Sequence, residues 1–188
     1  MKRSDLLTIL VVLLVVALTA AAAWYLQDGP GTEPGQRPAA DAALGTTPTQ
    51  SPFTTIAGDP VALASYRAQG KVVVANSWAS WCPFCVEELP DFERLATQYR
   101  EQDVVVLAIN RKESAQAAQA YLDTVGGFDQ VVFLLDPTDR FYASIGGITM
   151  PETIFYDTAG NVVMHKRGFM ELAEMQAHVE AALTASQK

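Results

Sequence analysis

The sequence predicts an α/β domain in which buried strands alternate with amphipathic helices. Three short apolar runs, at 72–75, 104–109 and 131–135, have the length and composition of strands buried on both faces. Longer segments between them repeat apolar residues at helical spacing. Strand, helix and strand in this order form a βαβ unit, whose crossover is almost always right-handed. The chain has 188 residues, 49% of them hydrophobic, so we expect one folded domain with a full core.

The N-terminal part of the sequence has the pattern of a membrane anchor. Residues 1–5 contain two basic side chains and precede an apolar run over 6–26. A helix of that length extends about 30 Å, the hydrocarbon thickness of a bilayer. No basic residue follows until Arg37, so we expect 1–5 to stay in the cytoplasm and 6–26 to be a transmembrane signal anchor. A cleaved signal peptide is the alternative, with small residues for cleavage at 20–23; either way the domain leaves the cytoplasm.

Residues 27–52 have a different composition, rich in Gly, Pro, Thr and Ala with almost no bulky apolar side chain. Such a segment cannot bury enough apolar surface to offset the entropy lost when it is ordered. We therefore expect a flexible linker over 27–52, which gives the domain reach from the bilayer, and the folded domain over 53–188.

The folded domain is predicted to begin with an edge hairpin. Residues 53–57 alternate in polarity, and a Gly-Asp-Pro turn then leads into an extended segment through Val61 and Leu63. The later elements follow from apolar spacing and from turn residues. In order they are a strand at 72–77, a helix at 83–100, a strand at 104–109, a helix around 118–125, a strand at 131–135, a short helix at 142–145, a hairpin of 153–156 with 162–165, and a closing helix around 172–183.

Both cysteines of the chain lie at the turn between the strand at 72–77 and the following helix. Cys82 falls at the predicted N-cap, with Pro83 at the first helical position, where proline is favourable. A thiol there faces unpaired backbone N–H groups and the positive end of the helix dipole, which both lower its pKa. Cys82 is therefore the predicted nucleophile. Cys85, one turn into the helix and less exposed, is placed to attack a mixed disulfide formed at Cys82.

Other interpretations of the cysteine pair are weaker. A structural disulfide between residues three apart would constrain the unfolded chain little. A metal site would need further ligands, and only His165 and His178 could join the two thiols, so we expect no metal and no cofactor. Cys-x-x-Cys within a βαβ pattern is typical of a redox-active disulfide, so the chain is predicted to be a protein thiol-disulfide oxidoreductase. The net charge of -8, without a basic stripe, argues against a nucleic-acid partner.

Several residues around the cysteines also match a known pattern. They are Asn76, Trp78, residues 81–85, Glu88, Pro90 and residues 150–153. Through them the chain resembles the thioredoxin superfamily and, more narrowly, the membrane-tethered TlpA, ResA and CcmG-like proteins of cytochrome c maturation. The resemblance covers roughly residues 53–184. It implies a thioredoxin fold, with a central mixed sheet flanked by helices, in which the helix and strand within 118–135 are an insertion.

The resemblance also implies roles for individual residues. Pro151 is expected to be cis and to face the disulfide, so that the Met150 backbone can pair with an extended substrate segment. Trp81 is expected to cover the disulfide and shape the docking surface. Glu88 is expected to relay the Cys85 proton, provided that burial raises its pKa towards neutrality. Glu87 is expected to be solvated.

These expectations combine into one functional hypothesis. The chain is predicted to be a single-pass protein of a bacterial inner membrane, with its catalytic domain on the periplasmic side. There it would reduce a protein disulfide, with apocytochrome c as the leading candidate. Since that compartment is oxidising, a membrane electron donor of the thiol-disulfide relay type would have to recharge it. Two other classes compete: a disulfide oxidase or isomerase for exported proteins, and a non-enzymatic partner- or metal-binding module.

Overall fold

The computed structural model describes residues 53–187 and, before them, the single helical residue Thr19. The chain divides into two units, Met1–Arg37 and Pro38–Lys188, and residues 53–187 belong to the second. Apart from Thr19, the predicted segments 1–5, 6–26 and 27–52 lie outside the described residues. Within the described part of the chain, no helix has the length and hydrophobicity needed to cross a membrane.

Residues 53–187 form seven strands, five helices and one 3₁₀ turn. The strands are β1 Phe53–Thr55, β2 Pro60–Val61, β3 Val72–Trp78, β4 Val104–Arg111, β5 Val132–Asp136, β6 Glu152–Tyr156 and β7 Val162–Arg167. The helices are α1 Leu63–Arg67, α2 Pro83–Tyr99, α3 Ala115–Val125, α4 Arg140–Ser144 and α5 Leu172–Ala185, and the 3₁₀ turn Arg100–Gln102 follows α2.

All seven of these strands form one sheet, in the order β2-β1-β5-β4-β3-β6-β7. Strands β3, β4 and β5 are parallel, whereas β6, β7 and β1 pair antiparallel with their neighbours, so the predicted mixed sheet is confirmed. Every residue of the central strand β3 is buried. Successive side chains of a strand point to opposite faces. Val72 and Val74 accordingly pack with α2 and α5, while Val73 and Ala75 pack with α1 and α4 on the other face.

Two expected elements are corrected by the structure. Strand β2 ends at Val61, and the extended segment predicted through Leu63 is wrong, because Leu63 begins helix α1 with its side chain fully buried. The short helix expected at 142–145 begins earlier, at Arg140. The Asp136 carboxylate accepts the N–H groups of Arg140 and Phe141 at 3.0 and 2.8 Å, which satisfies the helix start.

The inserted elements α3 and β5 are joined closely to the rest of the domain. Helix α3 ends where Gly126 takes a positive φ of 64°. Strand β5 lies between β4 and β1, and Trp78 at the end of β3 packs against Tyr121 and Phe133 with ring centroids 5.7 and 5.6 Å apart. Trp78 is fully buried, and the insertion supports the strand that leads to the cysteines.

Candidate active site

The two cysteines lie where β3 gives way to α2, as the sequence predicts. Cys82 is the N-cap residue and Pro83 the first helical residue. The cysteines form a disulfide with an S–S length of 2.05 Å, and Cys82 Sγ accepts the Cys85 N–H at 3.3 Å. Cys82 is 4% exposed and Cys85 is fully buried, so the first sulfur is nearer to solvent. The expected lower exposure of Cys85 is thus confirmed.

Glu88 lies one turn beyond Cys85 on α2 and is completely buried, whereas its neighbour Glu87 is exposed as expected. Its Oε1 accepts the Asn76 side-chain amide at 2.7 Å, and its Oε2 accepts the Met170 N–H at 3.2 Å. Burial raises the pKa of Glu88 to about 8, and the hydrogen bonds from Met170 and Asn76 oppose that rise only in part. The carboxyl group can therefore take up or give up a proton near neutral pH.

Asn76 connects this carboxyl group to the neighbouring strand. Its amide nitrogen also donates to Thr153 Oγ1 at 3.0 Å, in agreement with the pairing of Asn76 and Thr153 across β3 and β6. An aspartate at position 76 would place a second charge beside Glu88 and compete for the same protons. The neutral amide instead holds Glu88 in place without adding charge.

The segment before β6 brings the predicted substrate residues to the same edge of the sheet. The Met150-Pro151 peptide bond is cis, as expected from the resemblance. Because Glu152 pairs with Ser77 near the end of β3, Met150 and Pro151 lie beside the turn that carries Cys82. Pro151 is buried and Met150 is half-buried.

Apolar side chains are exposed on the segments that flank the disulfide. Trp81 and Phe84 are 63% and 60% exposed, and Ile148, just before the cis peptide, is 80% exposed. Most of the Trp81 ring therefore faces solvent. Large exposed apolar groups near a reactive centre are typical of a surface that contacts another molecule.

Three carboxylates outside the predicted site hold loops in place, and two of them, Glu113 and Glu152, lie beside the site. Glu113, after β4, accepts the backbone N–H and the hydroxyl of Ser80 at 2.8 and 2.5 Å and thereby holds the turn before Cys82. Glu93 binds the N–H groups of residues 129–131 before β5. Glu152 binds the segment before Pro151 and contacts His165, a residue to which the sequence assigned no role. The sequence signal for Glu152 was a carboxylate at the start of an apolar strand.

The described residues contain no group of three or more His, Cys, Asp or Glu side chains placed to hold a metal ion. The reactive group is a dithiol that forms a disulfide, and it lies at the N-terminus of a helix that follows a central strand. Fold and site together define a thiol-disulfide oxidoreductase with a thioredoxin-like fold.

Comparison with known proteins identifies the family. Residues 39–183 match the Redoxin family, and the chain belongs to it. The thiol-disulfide oxidoreductase ResA of Geobacillus kaustophilus is 28% identical over 139 residues, 74% of this chain and 78% of that protein. The thiol:disulfide interchange protein DsbE of Pseudomonas aeruginosa is 29% identical over 166 residues, 88% of this chain and 84% of that protein.

Solved structures agree with this assignment. The crystal structure of a thiol:disulfide interchange protein of the thioredoxin family from Chlorobium tepidum matches with a TM-score of 0.59 and 27% identity. The match covers 71% of this chain and 94% of that one. The predicted membership of the TlpA, ResA and CcmG-like branch and the predicted oxidoreductase activity are therefore confirmed.

Proposed function

We propose that this chain is a membrane-anchored, extracytoplasmic reductase of a protein disulfide, with the haem-attachment Cys-x-x-Cys-His pair of apocytochrome c as its substrate. The observation that carries the proposal is the buried carboxyl group of Glu88, one turn beyond Cys85. Its pKa of about 8 makes it a proton acceptor and donor in the pH range where a resolving thiol must lose its proton. Catalysis by such a group contributes most when its pKa lies near the working pH.

The reaction begins with the reduced dithiol. The Cys82 thiolate attacks one sulfur of the substrate disulfide, that S–S bond breaks, and the first substrate sulfur leaves as a thiolate. The Cys85 thiol then passes its proton to the Glu88 carboxylate and attacks the Cys82 sulfur. The mixed disulfide breaks, the second substrate sulfur leaves, and the Cys82–Cys85 disulfide remains. Two electrons have passed from this chain to the substrate, and Glu88 returns its proton to solvent or to a leaving thiolate.

Substrate binding is assigned to Trp81, Met150 and Pro151. Met150 lies beside the turn that carries Cys82 because Glu152 pairs with Ser77, and an extended chain can pair with the Met150 backbone there. The exposed Trp81 ring adds an apolar contact beside the reacting sulfur. Together they hold one substrate disulfide in line with Cys82, and this positioning of the reacting sulfurs raises the rate of exchange.

The N-terminal residues set the place of the reaction. Residues 6–26 anchor the chain in a bacterial inner membrane with 1–5 in the cytoplasm, and the linker 27–52 lets the domain over 53–188 work on the periplasmic side. A membrane electron donor of the thiol-disulfide relay type restores the dithiol after each turnover. Anchoring both partners in one membrane raises their effective concentration.

A trapping experiment tests this function. A Cys85→Ala variant lacks the resolving thiol, so it should accumulate a mixed disulfide between Cys82 and its substrate in cells that make c-type cytochromes. Mass spectrometry of the trapped species should find a peptide containing the Cys-x-x-Cys-His sequence. A Cys82→Ala variant is the matched control and should trap little. Conjugates with exported proteins that lack haem-attachment sites, and none with apocytochrome c, would refute the assigned substrate.

A further inference from the structure

The segment of residues 148–150, which precedes the cis peptide, is held by side chains from two directions. Glu152 Oε1 accepts the N–H groups of Ile148 and Thr149 at 2.7 and 2.9 Å. The Tyr142 hydroxyl donates to the Thr149 carbonyl oxygen at 2.6 Å. The backbone N–H and carbonyl oxygen of Thr149 thus both have partners within the protein. Met150 is the next residue and is left to meet a substrate.

The carboxylate that binds this segment is itself fixed in place. Glu152 is fully buried at the start of β6, and its Oε2 lies 2.6 Å from His165 Nε2 and 3.7 Å from Arg167 Nε on β7. Burial opposes ionisation, but the N–H groups of Ile148 and Thr149 and the His165 ring outweigh it, so the pKa of Glu152 lies below its usual value. The group that binds the loop is therefore an ionised carboxylate, which accepts stronger hydrogen bonds than a neutral group.

Packing around the segment fixes its path as well. The Tyr142 ring lies so close to Gly147 that a Cβ there would come within 2.4 Å of it. Arg111 lies over the same ring, with its guanidinium carbon 3.3 Å from the ring centroid. The ring thus contacts both Gly147 and Arg111, and the Ile148 side chain beside them is 80% exposed.

We propose that Glu152 is the positioning residue of the substrate-binding segment, and that His165 holds its carboxylate in place. The proposal rests on the proposed function in that Met150 and Pro151 are taken to bind an extended substrate. With its backbone already ordered, the segment pairs with a substrate strand without losing further conformational entropy, and Ile148 offers an apolar contact to the residues beside the substrate cysteines. Glu152 touches neither sulfur, so it acts on substrate affinity and leaves the redox chemistry of the disulfide unchanged.

The matched control for this role is Glu93. Its carboxylate also accepts several loop N–H groups, those of residues 129–131, at 2.9 to 3.1 Å. That loop precedes β5, which runs parallel to β3, so it lies at the opposite end of the sheet from the cysteines. Loss of Glu93 should therefore loosen a loop in the same way without touching the substrate segment.

The test measures two substrates with each variant. One probe is a fluorescent peptide with an oxidised Cys-x-x-Cys-His sequence, and the other is hydroxyethyl disulfide, which has no backbone to pair. For Glu152→Ala we expect KM for the peptide to rise about ten- to a hundredfold, because the segment loses two hydrogen bonds to a charged group. The rate with hydroxyethyl disulfide and the reduction potential should stay at the wild-type values. Glu152→Gln keeps an acceptor oxygen and should restore most of the peptide affinity. Glu93→Ala should leave KM unchanged.

Hydrogen exchange supplies a measurement that needs no substrate. The Ile148 and Thr149 amides should be protected in the wild type and exchange faster in Glu152→Ala, with Glu152→Gln between them. Unchanged exchange, an unchanged peptide KM, or an equal loss on both probes would overturn the positioning role. If the wild type does not reduce the peptide at all, the proposed function fails, and the exchange rates still decide the role of Glu152.

Discussion

Glu88 is a fully buried carboxyl group, at a position where an apolar side chain is more usual, because the charged form of a carboxyl group is costly to bury. Here two hydrogen bonds hold it, from Asn76 and from the Met170 backbone, and neither donor is charged. The arrangement keeps the proton available and keeps the group one turn from Cys85. The burial that suits Glu88 for proton transfer also makes the stability of the protein depend on pH, and this dependence can be measured.

We predict that the free energy of unfolding falls at high pH in the wild type and that Glu88→Gln does not show this fall. The folded-state pKa of about 8 exceeds the unfolded value of about 4.3, so the folded state binds more protons between these limits. The free energy of unfolding of the wild type should therefore fall as pH rises from about 4.3 to about 8, by about 3–5 kcal/mol. Glu88→Gln should lack this fall. Denaturant unfolding of the oxidised protein at pH 5 and pH 9 measures both.

The exposed neighbour provides the control for that measurement. Glu87→Gln changes the same charge on the same helix, but its side chain is solvated, so its pH profile should follow the wild type. If wild type and Glu88→Gln lose stability equally with rising pH, then Glu88 does not titrate in the way described.

Among the secondary-structure elements, the inserted pair α3 and β5 matters most for the site. It surrounds Trp78 with aromatic rings, and Phe133 on β5 also packs edge-on against Phe128 at 5.2 Å. Glu113, in the segment between β4 and α3, holds Ser80 in the turn before Cys82. The insertion therefore supports the cysteine turn through Trp78, and the segment that leads into it supports the turn through Ser80.

We predict that Phe133→Ala lowers the free energy of unfolding by about 2–4 kcal/mol, because it leaves a space beside Trp78. Phe133→Leu should lose less, since it refills part of that space. Chemical denaturation followed by tryptophan fluorescence measures the change. Val162→Ala removes an apolar side chain that is 51% exposed, and it should cost less than about 0.5 kcal/mol. Equal losses in Phe133→Ala and Val162→Ala would show that the insertion does not support Trp78.

At the scale of the whole molecule, the redox chemistry and the membrane location are assigned to different parts of the chain. The fold of residues 53–187 contains the complete cysteine site, whereas the proposed anchor and linker precede it. If the anchor acts only by concentrating the domain near its partners, its removal should affect turnover in the cell far more than activity in solution.

We predict this difference for a chain of residues 53–188 exported by a cleavable signal. In solution it should reduce the oxidised peptide at the full-length rate. In a deletion strain it should restore less covalent haem on c-type cytochromes than the full chain, and added thiol reductant should close the gap. Haem staining of membrane fractions provides the measurement. Normal haem attachment in the deletion strain itself, or a defect corrected by oxidant, would contradict the proposed direction of electron flow.

Local sequence determined much of this protein. The spacing of apolar residues predicted the mixed α/β order, and Cys82 followed by Pro83 placed the disulfide at a helix start, because N-capping depends on adjacent residues. The cis state of Pro151 came from the resemblance, since the base rate of cis X-Pro bonds is only about 5–6%. Leu63 was assigned wrongly because a short apolar run fits either a strand or a single helical turn.

Only the tertiary structure decided what surrounds these residues. Helical spacing puts Glu88 on the same face as Cys85 and its neighbour Glu87 on another. The packing of α2 against the sheet is what buries Glu88 completely and leaves Glu87 exposed. Likewise His165 meets Glu152 only because β6 and β7 pair in one register. Hydrogen bonds between residues distant in sequence depend on how the strands and helices pack together. The pKa of a buried group depends on the same packing. The sequence therefore determined the reactive sulfurs, and the fold determined the groups that control them.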